Sequence, residues 1–300
     1  MDLLKIDETP LISVIIPCYN HGSYLSEALA SVQQQDYPAI EVIVIDDGST
    51  DITRSVAQDH PWVKYIYQNN QGLSAARNKG IVHSNGQYLL FLDADDWLLP
   101  NALNINVQYL QADPSLAFVS GGHYKALVAR GITENHTQKV TTHHYEYLLR
   151  GNYIAMLAAV MFHRWVFESF AYDITLKAGE DYDLYLKITR LHPVAHHTHP
   201  VAVYRIHDSN MSSNIPLMLQ TILSILTKHH QYLRTDDERK AYSQGKQGWK
   251  NYYCNAIYHK LQLAPSKVNM KEVKTLLVFK PSLLGLKLLL LPFKFIRKNL

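Results

Sequence analysis

The sequence predicts a doubly wound α/β fold, in which helices cover both faces of a mostly parallel sheet. Apolar, β-branched segments without polar alternation recur along the chain, as is typical of strands buried on both faces. Segments of helical period separate them, which predicts parallel strands joined by crossover helices. The 300 residues are 47% hydrophobic, enough for one large domain with an appendage.

Four strands follow one another at regular spacing in the first hundred residues. They are predicted at Leu11–Ile16, Ile40–Ile45, Val63–Tyr67 and Tyr88–Leu92. Between the first two, residues 24–34 have helical periodicity, with Ser23 as the predicted N-cap and Pro38 as a stop. The apolar face of this helix consists of Leu25, Ala28, Leu29 and Val32.

The remaining elements are less regular, and they divide the chain. We expect a helix from Pro100 to about Gln111, a strand Leu116–Ser120, a surface excursion over Gly131–His144, a helix Glu180–Leu191 and a strand Val194–Tyr204. Beyond Pro216 the composition becomes helical, with helices predicted at Leu217–Leu226 and Trp249–Leu263. The predicted domains are therefore 1–215, which contains the sheet, and a helical region 216–300.

Charge and cysteine content exclude several classes of protein. The net charge of +3 lacks the clustered Lys/Arg excess that binds phosphate backbones, so no nucleic-acid partner is expected. Cys18 and Cys254 have no disulfide or zinc-ligand spacing, and a reducing cytosol suits them. The first ten residues are acidic and lack a long apolar run, which argues against a secretory signal and for a cytoplasmic protein.

Polar residues follow three of the predicted strands, at the point where each strand ends. These segments are Pro17–Asn20, Asp46–Ser49 and Asp93–Asp96. In open α/β sheets the ligand crevice lies beyond the carboxyl ends of the strands. We therefore expect the three segments to meet at one rim and bind a polar ligand.

Within the third segment, Asp93 and Asp95 are two residues apart, and alternate residues of a strand share a face. Two carboxylates together with a diphosphate form the oxygen-rich site that Mg²⁺ or Mn²⁺ prefers. The alternative is an acidic turn that caps the following helix.

Two further acidic segments have the same double interpretation. Asp47 is a candidate acceptor for a uracil N–H with Asp46 supporting the turn, or both belong to an Asx turn and N-cap. Glu180 and Asp181 open a predicted helix, where carboxylates suit the helix dipole, yet one of them is also a candidate general base.

Taken together, the motifs resemble family 2 glycosyltransferases over about residues 12–212, in the expected order. The segments that carry the likeness are Ser13–Asn20, Glu41–Asp51, Asn70–Gly80, Gly86–Asp96, Gly179–Asp183 and Tyr204–His207. The resemblance implies a GT-A nucleotide-diphospho-sugar transferase fold, with 1–215 as the catalytic domain. It also implies a divalent metal, Mn²⁺ or Mg²⁺, as cofactor.

The resemblance assigns roles residue by residue. The donor-binding set that it implies is Pro17, Tyr19, Asn20, Asp46, Asp47, Arg77, Asp93 and Ala94. Within that set, Pro17, Tyr19 and Asp47 would line the nucleobase pocket, and Arg77 would lie near the base or the diphosphate. The metal ligands would be Asp95 and Asp93, with His207 completing the metal or diphosphate site. Asp181 would be the general base, and Glu180 the fallback.

The implied reaction is an inverting single displacement that moves a sugar from a nucleotide-diphosphate sugar, with a UDP-sugar favoured, to an acceptor hydroxyl. A saccharide or lipid-linked saccharide would accept it, in cell-surface polysaccharide or glycolipid synthesis. The Gln-x-x-Arg-Trp element of processive members is absent, since Arg164-Trp165 lacks the Gln, so we expect single additions.

The segment Leu283–Ile296 is Leu-rich and interrupted by lysines and a proline, and it is shorter than the ~20 apolar residues that span a bilayer. Two interpretations remain open: an interfacial segment that places the protein peripherally at the inner face of an anionic membrane, or a helix packed on the catalytic domain.

Two other functions are alternatives. An apolar strand ending in Asp-x-Asp also resembles the nucleophile motif of haloacid dehalogenase-like phosphatases, although that motif usually stands near the N-terminus and this one continues Asp96-Trp97. The other alternative is a nucleotide-sugar-binding protein without turnover.

Overall fold

The computed structural model describes residues 9–127, 131–207 and 210–283. Its strands are β1 Ile12–Cys18, β2 Ile40–Asp46, β3 Val63–Tyr67, β4 Tyr88–Phe91, β5 Trp97–Leu98, β6 Phe118–Leu127, β7 Ile132–His136, β8 Val160–His163 and β9 Ala195–Arg205. Its α-helices are α1 Gly22–Gln33, α2 Thr53–Gln58, α3 Leu73–His83, α4 Ala102–Ala112, α5 His144–Arg150, α6 Val166–Ser169, α7 Glu180–Thr189, α8 Ile215–His229, α9 Asp236–Leu263 and α10 Met270–Phe279.

One mixed sheet contains all nine described strands, in the order β3-β2-β1-β4-β8-β6-β9-β5, with β7 added beside β6. β3, β2, β1 and β4 are parallel, and β6 and β9 run in the same direction, while β5, β7 and β8 oppose them. The predicted α/β fold with a mostly parallel sheet is confirmed. The two-residue strand β5 is too short to give a periodic signal, and its pairing with β9 was not predicted.

The core lies on both faces of the parallel strands. Every residue of β1 is buried, in agreement with its unbroken apolar pattern. The predicted apolar face of α1 is buried throughout. The prediction of Ser23 as its N-cap is wrong, because the helix begins at Gly22, whose N–H donates to the Asp51 carboxylate at 2.9 Å. A carboxylate from the loop after β2 therefore supplies the cap that we assigned to the preceding side chain.

Two regions of the sheet and helices extend further than the sequence pattern indicated. β6 continues to Leu127, and the expected surface excursion contains the exposed strand β7, which pairs antiparallel with β6, and leads to α5. Gly121 and Gly122 hide this continuation because they interrupt the apolar pattern, and the register against β9 shifts there. α9 begins at Asp236, thirteen residues before the predicted start, with a capping box between Thr235 and Glu238.

The chain divides into two compact units, residues 1–145 with 152–208, and residues 146–151 with 209–300. The first unit contains the sheet, and in the second α8 and α10 pack with α9. The predicted boundary between residues 215 and 216 stays a prediction. The predicted interfacial tail lies outside the described residues beyond Leu283. Within residues 9–127, 131–207 and 210–283, no helix has the length and hydropathy needed to cross a membrane.

Candidate functional site

The carboxyl ends of β1, β2 and β4 lie side by side in the first unit. The Asp47 amide donates to the Cys18 carbonyl at 2.9 Å, and the Leu92 amide donates to the Ile15 carbonyl at 3.0 Å. The three polar segments that follow these strands therefore begin at one edge of the sheet, which we call the rim.

At the rim, Asp47 is buried and holds the loop before α3. Its carboxylate accepts hydrogen bonds from Gln68 Nε2 at 2.6 Å, from the Gln71 amide at 2.9 Å and from the Gly72 amide at 2.8 Å. Gly72 has a φ of 90°, a conformation that favours glycine. The carboxylate thus organises the backbone of this loop, and its proposed contact with a nucleobase would add to three existing bonds.

Asp46 has the turn-supporting role that its position in the motif suggested. It accepts from the Ser49 amide at 2.8 Å and from the Tyr65 hydroxyl at 2.6 Å. Burial, together with this bond to Asp46, raises the pKa of Tyr65 above its ordinary value. Asn20 closes the other side of the turn, because its Oδ1 accepts from the Thr50 amide at 2.8 Å. Both side chains therefore shape the loop after β2.

The remaining predicted donor contacts differ in their exposure. Tyr19 is 51% exposed directly after β1, where a stacking partner could reach its ring. Pro17 is buried as the sixth residue of β1, and Ala94 is buried within the acidic turn. The structure places all three at the rim, with Tyr19 as the accessible side chain.

Arg77 of α3 is buried between two acidic segments. One terminal nitrogen lies 2.5 Å from Glu180 Oε1 and the other 2.7 Å from Asp93 Oδ1. Its guanidinium also lies over the Tyr172 ring, 5.4 Å from the centroid. Burial alone would lower the pKa of Arg77, but Asp93 and Glu180 raise it above its ordinary value. Arg77 therefore ties the turn after β4 to the start of α7.

Asp181 occupies the first turn of α7, beside Glu180, and remains partly accessible. Burial and then the Glu180 carboxylate raise the pKa of Asp181 to about 7, while Arg77 opposes them. Its Oδ1 accepts from the Tyr182 amide at 2.7 Å. A carboxylate that loses its proton near neutral pH has the pKa expected of a general base. Glu180, in contrast, is engaged by Arg77.

The structure gives Asp93 and Asp95 different partners. β4 ends at Phe91, and the Asp96 amide donates to the Asp93 carbonyl at 3.0 Å, so residues 93–96 form a turn. The strand alternation that we used to place both carboxylates on one face does not apply there. Asp93 bonds to Arg77, whereas Asp95 Oδ2 lies 2.9 Å from His207 Nε2.

His21 is a residue at this site that the sequence analysis missed. Its Nδ1 lies 3.9 Å from the same Asp95 oxygen that contacts His207. The His207 ring stacks on Tyr24 at 5.2 Å between centroids, and His21 meets both rings edge-on. The signal available in the sequence was position alone, because His21 directly follows the Pro17–Asn20 segment.

Arg205 fixes the acidic turn from the other side. Its amide donates to Asp96 Oδ1 and its Nε donates to the Asp95 carbonyl, both at 2.8 Å. The guanidinium faces the rings of Trp97 at 4.6 Å and Tyr24 at 5.2 Å. The main chain of Asp95 is thereby held on β9, and its carboxylate points toward His207.

Asp95 and His207 are the residues that fit a divalent cation. Among the described residues, no cluster of three or more His, Cys, Asp or Glu side chains is arranged to enclose a metal. Mg²⁺-type sites commonly use one or two protein carboxylates and complete their coordination with substrate phosphates and water. A carboxylate and an imidazole 2.9 Å apart fit such an open site.

The sequence from residue 13 to residue 168 matches the model of Glycosyl transferase family 2, which is more than half of the chain. The chain belongs to this family. It is similar to the chondroitin synthase of Escherichia coli, with 30% identity over 64% of the chain and 28% of that protein. It is also similar to glycosyltransferase GlyA of Streptococcus pneumoniae, with 45% identity over 29% of the chain and 13% of that protein. The matches thus span less than a third of these relatives.

Solved structures show the same fold. TarS of Staphylococcus aureus, solved with UDP-GlcNAc, superposes with a TM-score of 0.59 at 18% identity, and the alignment covers 91% of this chain and 91% of TarS 1-349. The mannosyltransferase PcManGT of Pyrobaculum calidifontis, solved with GDP-Man and Mn²⁺, has a TM-score of 0.62 at 22% identity over 94% of this chain and 82% of its own. The predicted family and GT-A fold are confirmed, and the phosphatase interpretation loses its support.

Proposed function

We propose that this protein transfers a sugar from a nucleotide-diphosphate sugar to an acceptor hydroxyl with inversion at the anomeric carbon. The observation that carries the proposal is the position of Asp181. Arg77 connects Glu180, the neighbour of Asp181, to Asp93 in the acidic turn after β4, so the Asp181 carboxylate of raised pKa lies next to an ion-pair network that includes the Asp-x-Asp segment. The family match supports this assignment.

The donor would bind along the rim. Tyr19 offers an accessible ring for the nucleobase, and Asp47 holds the loop before α3 at the same rim. Asp95 and His207 would hold Mn²⁺ or Mg²⁺, and the bound cation would neutralise the diphosphate as it leaves. The Mn²⁺ named in the PcManGT complex supports this cofactor.

Asp181 would take the proton of the acceptor hydroxyl, and the resulting oxygen would attack the anomeric carbon from the face opposite the diphosphate. The bond between that carbon and the diphosphate oxygen breaks in the same step, so no covalent enzyme intermediate forms. Arg77 holds Glu180 and Asp93 in place and leaves Asp181 as the proton acceptor. Asp181 thereby supplies the base that single displacement requires.

Of the nucleotides, we favour UDP, which the TarS complexes support, with GDP as the alternative from the PcManGT complex. The acceptor would be a saccharide or a lipid-linked saccharide, added once per cycle, in cell-surface polysaccharide or glycolipid synthesis at the cytoplasmic side. Single addition also agrees with the position of Arg164, the arginine that lacks the Gln context of processive members. Arg164 donates to the Gly86 carbonyl and to Ser84 Oγ, so it supports the loop before β4.

The test is thermal stabilisation of the purified protein by UDP, GDP and dTDP, each with and without Mn²⁺. Ligand binding to the native state raises apparent stability by mass action. We expect one nucleotide to raise the unfolding midpoint in a Mn²⁺-dependent way and Asp95→Asn to remove that dependence. If no nucleotide changes the midpoint, the donor site is wrong; if one binds but no sugar is transferred to any acceptor, a binding protein without turnover is the correct interpretation.

A further inference from the structure

One face of α10 is exposed and combines apolar with basic side chains. The helix turns Glu272, Val273 and Leu276 inward, where they are buried. The opposite face, which we call the α10 face, consists of Met270, Lys271, Lys274, Leu277 and Val278. Its three apolar side chains are between 48% and 61% exposed. Met270 and Lys271 precede Lys274 by four and three residues, and Leu277 and Val278 follow it by three and four, so the five side chains lie along one side of the helix.

The segment before α10 exposes further side chains of the same kind. Leu263, the last residue of α9, is 86% exposed, and Lys267 is exposed four residues later. The acidic residue of α10 does not contribute, since the Glu272 carboxylate is buried and bonds to Lys260 Nζ at 2.7 Å and to the Asn269 amide at 2.8 Å. The exposed surface of α10 is therefore apolar and cationic.

The sequence shows the same bias beyond the helix. Residues 263–300 contain eight Lys or Arg residues and one acidic residue, a net charge of +7. The whole chain carries +3, so the preceding 262 residues sum to −4. Such an asymmetry indicates an anionic partner for this part of the chain and not a general basic character.

We propose that the α10 face docks on the surface of an anionic phospholipid bilayer. Exposed Leu, Val and Met side chains would enter the boundary between headgroups and acyl chains, and the lysines between them would contact lipid phosphates. Apolar burial and attraction of Lys to anionic lipid are the two terms that hold interfacial helices on membranes. The proposal does not depend on the transfer reaction.

Flotation of the full chain with lipid vesicles tests it. We expect binding to vesicles that contain phosphatidylglycerol, no binding to pure phosphatidylcholine, and release at high salt. Each Lys near an anionic surface strengthens membrane binding, so we expect the double variant Lys271→Glu with Lys274→Glu to weaken partitioning by at least about 30-fold. Leu277→Ser with Val278→Ser removes apolar contact and weakens it by about tenfold.

The matched control is Arg239→Glu with Lys240→Glu, which makes the same change in charge on exposed residues near the start of α9. It should float like the wild type. Circular dichroism and the unfolding midpoint check that each variant is folded, which we expect because the substituted side chains are exposed. Wild-type binding by both α10 variants, or no flotation of the wild type, would overturn the proposal. Concentration-dependent dimers that the α10 variants abolish would instead make a second copy the occupant.

Discussion

The raised pKa of Asp181 makes Glu180→Gln the most informative substitution. The change keeps the size of the side chain and one acceptor oxygen for Arg77, but it removes the charge next to Asp181. At an effective dielectric constant of about 20, two like charges ~4 Å apart repel each other by about 4 kcal/mol, or about three pKa units, and the repulsion falls as the distance grows. Partial exposure of Asp181 screens this interaction, so about one pH unit is expected.

The charges around Asp181 determine the direction in which its pKa changes in Glu180→Gln. Glu180→Gln removes a negative neighbour and leaves more of the Arg77 charge uncompensated, and both changes favour the ionised form of Asp181. The base must be ionised to act, so the acid limb of the pH dependence of kcat/KM, near pH 7 in the wild type, moves lower by about one pH unit.

The assay is release of nucleotide diphosphate from the donor in the presence of acceptor, measured between about pH 5 and pH 9, the range that brackets the expected limb. Glu168→Gln, the same substitution at an exposed residue of α6, is the control and leaves the limb in place. An unchanged limb in Glu180→Gln, or one that moves to higher pH, would refute the assignment of Asp181 as the titrating base.

Asp181→Asn should lower kcat by about 10²-fold or more while the donor Kd stays within a factor of a few, and equal losses of both would contradict the general-base role. His207→Ala should abolish the Mn²⁺-dependent rise in the unfolding midpoint with nucleotide, as Asp95→Asn does, and an undiminished rise would remove His207 from the metal site. Because the pKa of Asp181 is raised on folding, ionisation destabilises the native state from about pH 4 upward, so Asp181→Asn should raise the midpoint at pH 8 but not at pH 4. Gly80→Ala would place a Cβ 2.3 Å from Ile15 Cγ2, and a loss of about 1–3 kcal/mol in unfolding free energy is expected by denaturant titration.

The strands that the sequence predicted best are those whose whole environment is apolar. β1, β2 and β4 are short, mostly apolar and mostly buried runs, in which Ser13 and Glu41 do not obscure the pattern. β3 is an edge strand with Lys64 and no fully buried residue, so its β-branched and aromatic residues gave the signal. β8 also consists of buried residues, but the four residues Val160–His163 stand among other apolar residues and give no distinct period. β5 is defined by its pairing with β9, a contact more than a hundred residues away in the chain.

In the candidate site, too, features set by neighbouring residues were predictable and contacts between distant residues were not. The rim was predictable because each polar segment directly follows its strand in the sequence. The partners of Arg77 were not, since Glu180 is 103 residues away, and the guanidinium faces carboxylates where the motif suggested a nucleotide. An acidic turn at Asp93–Asp96 was one of the two interpretations, but the strand interpretation placed Asp93 and Asp95 on one face and so hid their divergence.

The distribution of charge at the rim separates structural from functional carboxylates. The seven involved are Asp46, Asp47, Asp93, Asp95, Asp96, Glu180 and Asp181. Buried carboxylates at such density repel each other and need compensation. Arg77 pairs with both Asp93 and Glu180 and compensates one of their two charges. Asp46 and Asp47 accept from main-chain amides and neutral side chains, and Asp96 accepts from the Arg205 amide. In the described part of the chain, neither Asp95 nor Asp181 has an arginine or lysine at ion-pair distance. A cation at Asp95 and a proton at Asp181 would relieve the remaining repulsion. In the proposed reaction the bound metal would supply the first, and the proton taken from the acceptor hydroxyl would supply the second.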